Sequence, residues 1–593
     1  MSRIGTASIR DIFHKAEKQK FLSSVFIVFI LFLLSLTVFK STWGINDDVM
    51  MAMDASGKGF SSRPTEYIFS SNIILGYALK NLYQITPSYP WYGLYTVLVL
   101  FISFVVLMYS LLKYKFSITR IFYFFLFFIF YGLWSIRTPQ FTTNAFILGM
   151  SGVFLLFAEL YERKTTISWR ILLASLFLLT LSSLIRTDSF LLVLVLSFPS
   201  FVAGITQKTF SRPVIRRLLF FFVSLVLTVS ACYFYNRTSY LKDDRWTYQL
   251  EKAKLLVEMV DNNKAYEYSR KTKHIFDEAG WSINDFLLIH KWFSADEKEF
   301  GKGKLGKILA GFQSVHLKRP MIHFQYMLGD IYFYGVILLA IFFIMQRKEK
   351  KNTIGIAVSV ILSVGIIVYL GSYVRLPTRI YLPILSYVSF LALFFADGEM
   401  NFKSILDNEW KTQSKFIVII LFLGYFLFFH YSVSINQKEG NTMLKNYIAK
   451  LHPTKDRIFL VWADSLPLEL ISVFDNLDDF SDMRMLSTSH HFNSPVSEEI
   501  LREFNVRTFG DLVEKDNLYH IGNQMYMALY SRYLKEHYGL DVAFKICTEN
   551  PLFAVYRNVT ITPEMEDKLV TVPVQVKDGI IYSVMIVQGG PCS

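Results

Sequence analysis

The chain has 593 residues, of which 53% are hydrophobic and 17% aromatic, whereas only 18% are charged. A soluble domain usually has about a quarter of charged residues, so this composition excludes a protein built for water alone. The net charge of +13 does not indicate nucleic-acid binding, because the basic residues cluster in short loops between apolar runs, where they orient a membrane protein.

Apolar runs predict about eleven membrane-spanning helices. The first run, Phe21 to Phe39, holds no charge over about 19 residues, enough to cross a hydrocarbon core of about 30 Å. It is longer than the apolar part of a typical signal peptide and no small-residue cleavage site follows it, so we interpret it as a retained helix. The predicted spans are 21–39, 92–112, 119–136, 141–160, 170–185, 189–206, 218–235, 328–346, 354–373, 380–396 and 416–433.

Loop charges predict a cytoplasmic N-terminus. With that orientation every second loop is cytoplasmic, and each of these loops is basic, as the positive-inside rule requires. The basic residues are Lys113, Lys115 and Arg120; Arg163, Lys164 and Arg170; Lys208, Arg212, Arg216 and Arg217; Arg347, Lys348, Lys350 and Lys351; and Lys403, Lys411 and Lys415. An odd number of spans then places the C-terminus outside.

The segment Thr65 to Thr86 is a possible additional span, but its pattern is amphipathic. Ile68, Leu75, Leu79 and Leu82 share one helical stripe, while polar residues lie elsewhere. This pattern is typical of a helix that lies in the membrane interface. Spanning would also move the first basic loop outside and invert the charge pattern, so we expect an interfacial helix that begins at Pro64 and Thr65.

The sequence predicts two parts: an α-helical polytopic membrane domain, residues 1–433, and a soluble extracytoplasmic α/β domain, residues 434–593. The membrane part includes an outer loop, residues 40–91, and a large outer loop, residues 236–327. In the tail, Arg457–Ala463 is predicted as a buried strand, followed by a helical stretch near Leu468–Phe474. A longer helix, Gln524–Tyr538, and strands at Phe544–Cys547 and Phe553–Tyr556 complete an α/β pattern.

The candidate catalytic residues are the acidic pair Asp47 and Asp48, just outside the first helix. Two carboxylates at a membrane surface are costly to bury without partners, and each is able to act as a base or a cation ligand. In a helix Asp47 and Asp54 share a face, whereas Asp47 and Asp48 point apart. The alternative is a solvated helix cap, since Asp is favoured at that position.

Arginines in the short outer hairpins oppose the topological preference, which favours a functional role. They are Arg137, Arg186, Arg375 and Arg379. Their guanidinium forks match a phosphate, so we expect them to bind a lipid phosphate at the outer surface. The alternative is simple pairing, for example of Arg186 with Asp188. Glu66, Asp54 and Asp285 are candidate supporting acids, although Glu66 and Asp285 also fit the first turn of a helix.

These motifs resemble the GT-C superfamily of membrane glycosyltransferases, which use polyprenyl-phosphate-linked sugars. The resemblance is carried by the acidic pair, the interfacial helix, Pro139-Gln-Phe-Thr-Thr-Asn144 at the start of the fourth span, Arg186-Thr-Asp188 before the sixth span, and the outer C-terminal domain. The chain is also similar to bacterial membrane proteins associated with surface polysaccharide, including proteins that resemble O-antigen glucosyltransferases.

The resemblance implies an inverting hexosyl transfer at the outer face of a bacterial cytoplasmic membrane. Asp47 or Asp48 would act as general base on an acceptor hydroxyl of a cell-surface glycan or lipid-linked acceptor. Arginines or a divalent cation, Mg²⁺ or Mn²⁺ held by Asp47 and Asp48, would stabilise the polyprenyl phosphate leaving group. No clear second acidic motif is evident, so the resemblance does not decide whether the reaction depends on a metal ion.

Two other functions are compatible with many helices and a large outer loop. A polysaccharide polymerase would transfer whole lipid-linked chains. A transporter or flippase would need ionisable groups near the bilayer midplane, and the predicted spans are almost free of them.

Overall fold

The computed structural model describes residues 17–162, 166–206, 210–262, 267–313, 323–347, 352–374, 376–396, 410–561, 563–577 and 579–587. Its helices before the tail are α1 Lys20–Val38, α2 Asn46–Ser56, α3 Ile73–Ile85, α4 Trp91–Tyr114, α5 Ile118–Arg137, α6 Phe141–Leu160, α7 Trp169–Ile185, α8 Thr187–Thr206, α9 Arg212–Tyr240, α10 Asp244–Met259, α11 Lys273–Ala279, α12 Ile283–Ile289, α13 Glu297–Phe300, α14 Lys302–Gln313, α15 His323–Leu328, α16 Ile331–Met345, α17 Thr353–Tyr373, α18 Thr378–Phe394 and α19 Trp410–Lys450.

A helix lies at each predicted span, which confirms the prediction of a polytopic helical membrane protein. Among the described residues, seven helices (α1, α4, α5, α6, α8, α9 and α17) are long and apolar enough to cross a membrane, and α7, α16 and α18 are shorter apolar helices. The number eleven stays a prediction. Helix α19 is 41 residues long and continues past residue 433 without a break, so one helix joins the membrane part to the tail.

The burial of the helices indicates which faces meet lipid. Helix α6 is buried along its whole length, so it lies at the centre of the bundle. Helices α1, α9 and α17 instead expose large apolar side chains, among them Phe26, Leu227 and Ile361, each more than 60% exposed. A contiguous apolar surface of this kind is unfavourable in water and is expected against hydrocarbon.

The expected interfacial helix is shorter than predicted. Helix α3 begins at Ile73 rather than Thr65, because the side chain of Asn72 accepts a hydrogen bond from the Ile74 N–H (3.0 Å) and caps the helix there. The preceding residues fold back on α3, so that the Glu66 carbonyl lies against Gly76. A helix of 13 residues is about 20 Å long, too short to cross a hydrocarbon core.

The tail forms an α/β domain around one seven-stranded sheet. Its elements are β1 Ile458–Val461, β2 Arg484–Ser487, α20 Pro495–Glu503, α21 Phe509–Val513, β3 Leu518–Gly522, α22 Gln524–Tyr538, β4 Val542–Glu549, β5 Ala554–Thr560, β6 Leu569–Lys577 and β7 Ile580–Val587. The strand order is β2-β1-β3-β5-β4-β7-β6, with β1 parallel to both β2 and β3. The four tail elements predicted as β1, α22, β4 and β5 are confirmed.

The sheet is packed on both faces because its strands alternate between two apolar clusters. In β1, Phe459 and Val461 pack with Trp43, Val49 and other residues at the end of the membrane domain that carries α2. Ile458 and Leu460 point the opposite way and pack with the helices of the large outer loop and with α22. The sheet is therefore the middle layer between the membrane domain and the loop of residues 236–327.

The helical stretch predicted near Leu468–Phe474 is wrong beyond its first turn. Only Leu468–Leu470 is helical, as a single 3₁₀ turn. The chain then extends because its backbone pairs with the segment after α1: Trp43 N–H donates to the Ile471 carbonyl (3.3 Å), and Val473 N–H donates to the Ser41 carbonyl (3.3 Å). A tertiary pairing thus replaces local helix, and it attaches the tail to the segment after the C-terminal end of α1.

Gly93 tests this attachment. A Cβ atom at Gly93 would lie 1.7 Å from the Val473 carbonyl oxygen, whereas one at Gly365 in α17 would meet nothing within 4 Å. Both changes to Ala gain the same helix propensity, but only Gly93→Ala pushes the tail segment away, at a cost of about 1–3 kcal/mol. We expect Gly93→Ala to unfold at a lower temperature than Gly365→Ala by tryptophan fluorescence. Equal unfolding temperatures would contradict the docking.

Candidate active site

Helix α2 places the acidic pair. It follows α1 after a short extended segment and begins at Asn46, so Asp47 and Asp48 lie in its first turn. Carboxylates are favourable there because the helix dipole presents positive charge at its N-terminus. Since consecutive helical residues point apart, the two side chains have different surroundings: Asp48 is fully buried, whereas Asp47 is half-buried.

Asp48 caps the central helix of the bundle. Its Oδ1 accepts hydrogen bonds from the Phe141 N–H (3.0 Å) and from the Tyr92 hydroxyl (3.2 Å). Phe141 is the first residue of α6, where a backbone N–H has no partner within its own helix. Among the described residues, Oδ2 of Asp48 has no hydrogen-bond partner. The side chain therefore joins α2, α4 and α6.

Burial changes the acidity of Asp48. Loss of solvation raises the pKa of Asp48 to about 8, and the nearby charge of Asp47 adds to this, although the hydrogen bonds and Arg379 oppose it. At neutral pH the carboxyl group is therefore mostly protonated. A protonated, fully buried carboxyl group suits a structural cap better than contact with a substrate, so the geometry favours Asp47 as the reactive member of the pair.

Two of the predicted arginines lie near enough to the acidic pair to interact with it electrostatically. Arg379, in the first turn of α18, interacts electrostatically with Asp48 and with Arg186. Arg186, between α7 and α8, also interacts with Asp47 and lies over the Phe141 ring at 4.9 Å. Its ion pair with Asp188 is long, at 3.8 Å. Two cations thus interact electrostatically with two acids at one end of the membrane domain.

Arg137 occupies a different environment. It is buried at the end of α5, and one of its nitrogens donates to the Tyr332 hydroxyl (2.8 Å). Its Nε and Nη1 have no hydrogen-bond partner among the described residues. Arg375 lies outside the described residues. The role of Arg137 and Arg375 in phosphate binding stays a prediction.

Sequence reasoning did not identify Asp330. Its Oδ1 caps α16 by accepting from the Tyr332 N–H (2.9 Å), and its Oδ2 accepts hydrogen bonds from Thr378 and Tyr381 in α18. Thr378 is the neighbour of Arg379, so this acid fixes the start of the helix that carries that arginine. An acidic residue inside a predicted span was the available signal.

The candidate supporting acids have partners of their own. Asp54 is buried and meets Nε2 of His491 at 3.3 Å, which links α2 to the tail. Glu66 forms an ion pair with Lys80 at 2.7 Å. Both contacts have a structural role in this arrangement.

Asp285 lies in a different apolar cluster from the acidic pair. It closes a capping box with Ser282 at the start of α12 and meets His537 of α22 at 2.9 Å. Glu536 is also near, and these three side chains have ligand atoms close enough to hold a metal ion. This group joins the large outer loop to the tail.

The tail contacts helix α2 directly beside the acidic pair. The Asn46 side chain accepts a hydrogen bond from the Glu469 N–H (3.0 Å) and donates to the Leu466 carbonyl (3.4 Å). Both residues belong to the loop that follows strand β1. Burial raises the pKa of Glu469, and its Oε2 has no hydrogen-bond partner within the described part of the chain. A further acid therefore belongs to the tail loop that contacts Asn46, the neighbour of Asp47.

Comparison with known proteins gives distant structural matches. No family model matches the chain, and a search of curated proteins finds no match. The chain is similar to a crystal structure of ArnT from Cupriavidus metallidurans bound to undecaprenyl phosphate, with 11% identity and a TM-score of 0.38 over 91% of this chain and 98% of that chain. The apo form of ArnT gives 11% identity and a TM-score of 0.39 over 92% and 98%. Similarity at this level carries no argument about function.

The raised pKa of Asp48 predicts a pH-dependent stability. Between about pH 4 and 8 the unfolded chain releases the Asp48 proton and the folded chain retains it, so the stability contributed by this group is present at low pH and is lost as pH rises toward 8. Asp48→Asn keeps an oxygen for Phe141 and Tyr92 but cannot titrate. Its unfolding free energy should therefore rise relative to the native protein by roughly 1.4 kcal/mol per pH unit between pH 5 and 8.

The measurement is thermal or denaturant unfolding of both proteins from pH 5 to 9, with Asp516→Asn, which removes an exposed acid of the tail, as the control. A difference between native protein and Asp48→Asn that does not change with pH would show that Asp48 is ionised in the folded protein.

Proposed function

We propose that the protein is a membrane glycosyltransferase that moves a sugar from a polyprenyl-phosphate donor to a glycan or lipid-linked acceptor outside the cytoplasmic membrane. The observation that carries the proposal is the grouping of Asp47 with Arg186 and Arg379 beneath a tail loop that holds Asn46. An accessible base beside two cations suits a reaction that deprotonates an alcohol and releases a phosphate. The motifs that resemble the GT-C superfamily support the same reaction.

In this proposal Asp47 removes the proton of an acceptor hydroxyl as that oxygen attacks the anomeric carbon. The bond between that carbon and the phosphate oxygen breaks, and the configuration is inverted. The polyprenyl phosphate leaves with the bonding electron pair, and Arg186 and Arg379 stabilise its negative charge. Because the membrane holds the donor and the tail loop fixes α2, positioning contributes part of the rate.

Asp48 has a positioning role in this scheme. Its cap on α6 fixes α2 against α4 and α6, and thereby fixes Asp47 one residue earlier. A Mg²⁺ or Mn²⁺ ion held by Asp47 and Asp48 stays a prediction. The two side chains point apart and Oδ1 of Asp48 already accepts two hydrogen bonds, so this pair alone would offer such an ion few ligand atoms.

Substitution of the acidic pair tests the reaction. Asp47→Asn should lower glycan modification by about 10²–10⁴-fold, the usual loss for a general base. Asp48→Asn keeps the cap and should lower it far less. The readout is the mass of the cell-surface glycan in the native host lacking the gene and complemented with each variant, with membrane insertion checked by immunoblot. Full modification by Asp47→Asn would contradict the proposal.

The outer location is part of the proposal and has its own test. A reporter that is active only outside the cytoplasm, fused after Ser593, should be active, and the same reporter fused after Arg347 should be inactive. The physical reason is the basic character of alternate loops, which are retained in the cytoplasm. Activity only at Arg347 would place the acidic pair on the cytoplasmic side and exclude an outer-face reaction.

A further inference from the structure

A second cleft lies on the tail, at the carboxyl ends of its parallel strands. Its volume is about 680 Å³, in the usual range for a small-molecule site. Asp464 and Ser465 follow β1, Asn523 and Gln524 follow β3, and the turn between β4 and β5 closes the other side. The residues that line this cleft include neither the acidic pair nor Arg186 and Arg379.

The topology of the sheet favours a ligand at this position. Strand β1 lies between β2 and β3 and is parallel to both. The chain leaves β1 toward one neighbour and later returns on its other side, so the loops after β1 and β3 separate at the carboxyl edge. In open α/β sheets such a switch point forms the crevice in which ligands bind.

The lining side chains indicate what kind of ligand fits. The polar ones are carboxylates, amides and a hydroxyl: Asp464, Ser465, Asn523, Gln524, Glu549 and Asn550. No Lys or Arg is among the described residues that line the cleft, so it has nothing to neutralise a phosphate or a carboxylate. Paired donors and acceptors of this kind match vicinal hydroxyl groups. Phe553 and Tyr556 add apolar and aromatic surface beside them.

Polar atoms in the cleft lack partners. The hydroxyl of Ser465 and the amide nitrogen of Asn550 are buried and make no hydrogen bond to any described residue. The Asn550 oxygen, in contrast, accepts from the Leu552 N–H (2.9 Å) and the Phe553 N–H (3.1 Å), which fixes the orientation of the amide. Buried polar groups are normally satisfied, so a hydrogen-bond partner that is not part of the described chain is expected beside these two lining residues.

The cleft and the candidate active site share one loop of the tail. Ser465 is followed at once by Leu466, whose carbonyl accepts from Asn46, and Glu469 contacts the same side chain. Asn46 is the neighbour of Asp47. A molecule bound beside Asp464 and Ser465 is therefore separated from the proposed base by one short loop.

We infer that this cleft binds an uncharged pyranoside, the saccharide part of the acceptor, and so selects a glycan acceptor over a simple lipid alcohol. That the bound saccharide is the acceptor rests on the proposed function, whereas saccharide binding itself does not require catalysis. A saccharide held here directs its next hydroxyl group across the loop toward Asp47.

Saturation-transfer NMR tests the inference on the full chain in lipid nanodiscs free of sugar-headed detergent. The probes are the methyl glycosides of glucose, galactose, mannose and N-acetylglucosamine, with the methyl glycoside of glucuronic acid as the charged comparison. We expect transfer from the protein to at least one neutral glycoside, and weaker transfer to the glucuronide. Absence of transfer to all four neutral glycosides, or stronger transfer to the glucuronide, would overturn the inference.

Three substitutions locate the binding. Asn550→Asp keeps the acceptor for Leu552 and Phe553 but replaces the free donor, and Asp464→Asn removes a charged acceptor; each should weaken binding by about tenfold, as for one hydrogen bond with a charged partner. Asp516→Asn is the control, because Asp516 is an equally exposed acid before β3, at the opposite edge of the sheet. Equal binding by all three variants would overturn the location.

The same variants separate this inference from the proposed function. If glycosides bind and the cleft variants lose binding while Asp47→Asn modifies glycan normally, the cleft stands and the transferase reaction fails. If Asp47→Asn loses modification while glycosides do not bind, the reaction stands and the cleft fails.

Discussion

The carboxyl group of Asp48 joins three helices at one end of the membrane domain, and the candidate site depends on it. It accepts from the first N–H of α6, the helix that is buried along its length, and from the Tyr92 hydroxyl of α4. A buried acid without a cationic hydrogen-bond partner is costly when ionised, and burial accordingly raises the pKa of Asp48 to about 8. The consequence is a fixed α2, in which the neighbouring Asp47 remains half-buried and interacts electrostatically with Arg186.

Contacts with the tail also hold α2 in position. One face of its sheet packs on the end of the membrane domain that carries α2, and the other packs on the helices between α9 and α15. The loop after β1 contacts Asn46, and the following extended segment pairs with residues 41–43. Together these contacts tie the strand that lines the cleft to the helix that carries the acids. A saccharide in the cleft and a lipid phosphate at the arginines would then meet at α2.

The sequence was sufficient for the features that depend on local pattern. The apolar runs predicted the helices, because length and hydrophobicity act over about 20 residues. The acidic pair directly after the first run was predicted as the candidate site from its position. The different directions of the Asp47 and Asp48 side chains followed from helical geometry alone.

The sequence could not show that Asp48 would be the buried member of the pair, since its partners Tyr92 and Phe141 are 44 and 93 residues away. The failure at Leu468–Phe474 has the same cause, because Ser472 pairs with Ser41, 431 residues earlier. Arg137 likewise matched the pattern of an outer arginine, but the packing of α5 on α16 buries it against Tyr332.

We propose that Arg186 and Arg379 hold a lipid phosphate near Asp47. Binding of undecaprenyl phosphate tests this proposal most directly. Native mass spectrometry of the purified protein gives the affinity of the native chain, of Arg186→Lys and Arg379→Lys, and of Arg217→Lys at the opposite end of the bundle as the control. Lys keeps the charge but loses the paired donors, so the first two variants should bind about tenfold more weakly while the control is unchanged. Equal affinity in all four proteins would contradict the account.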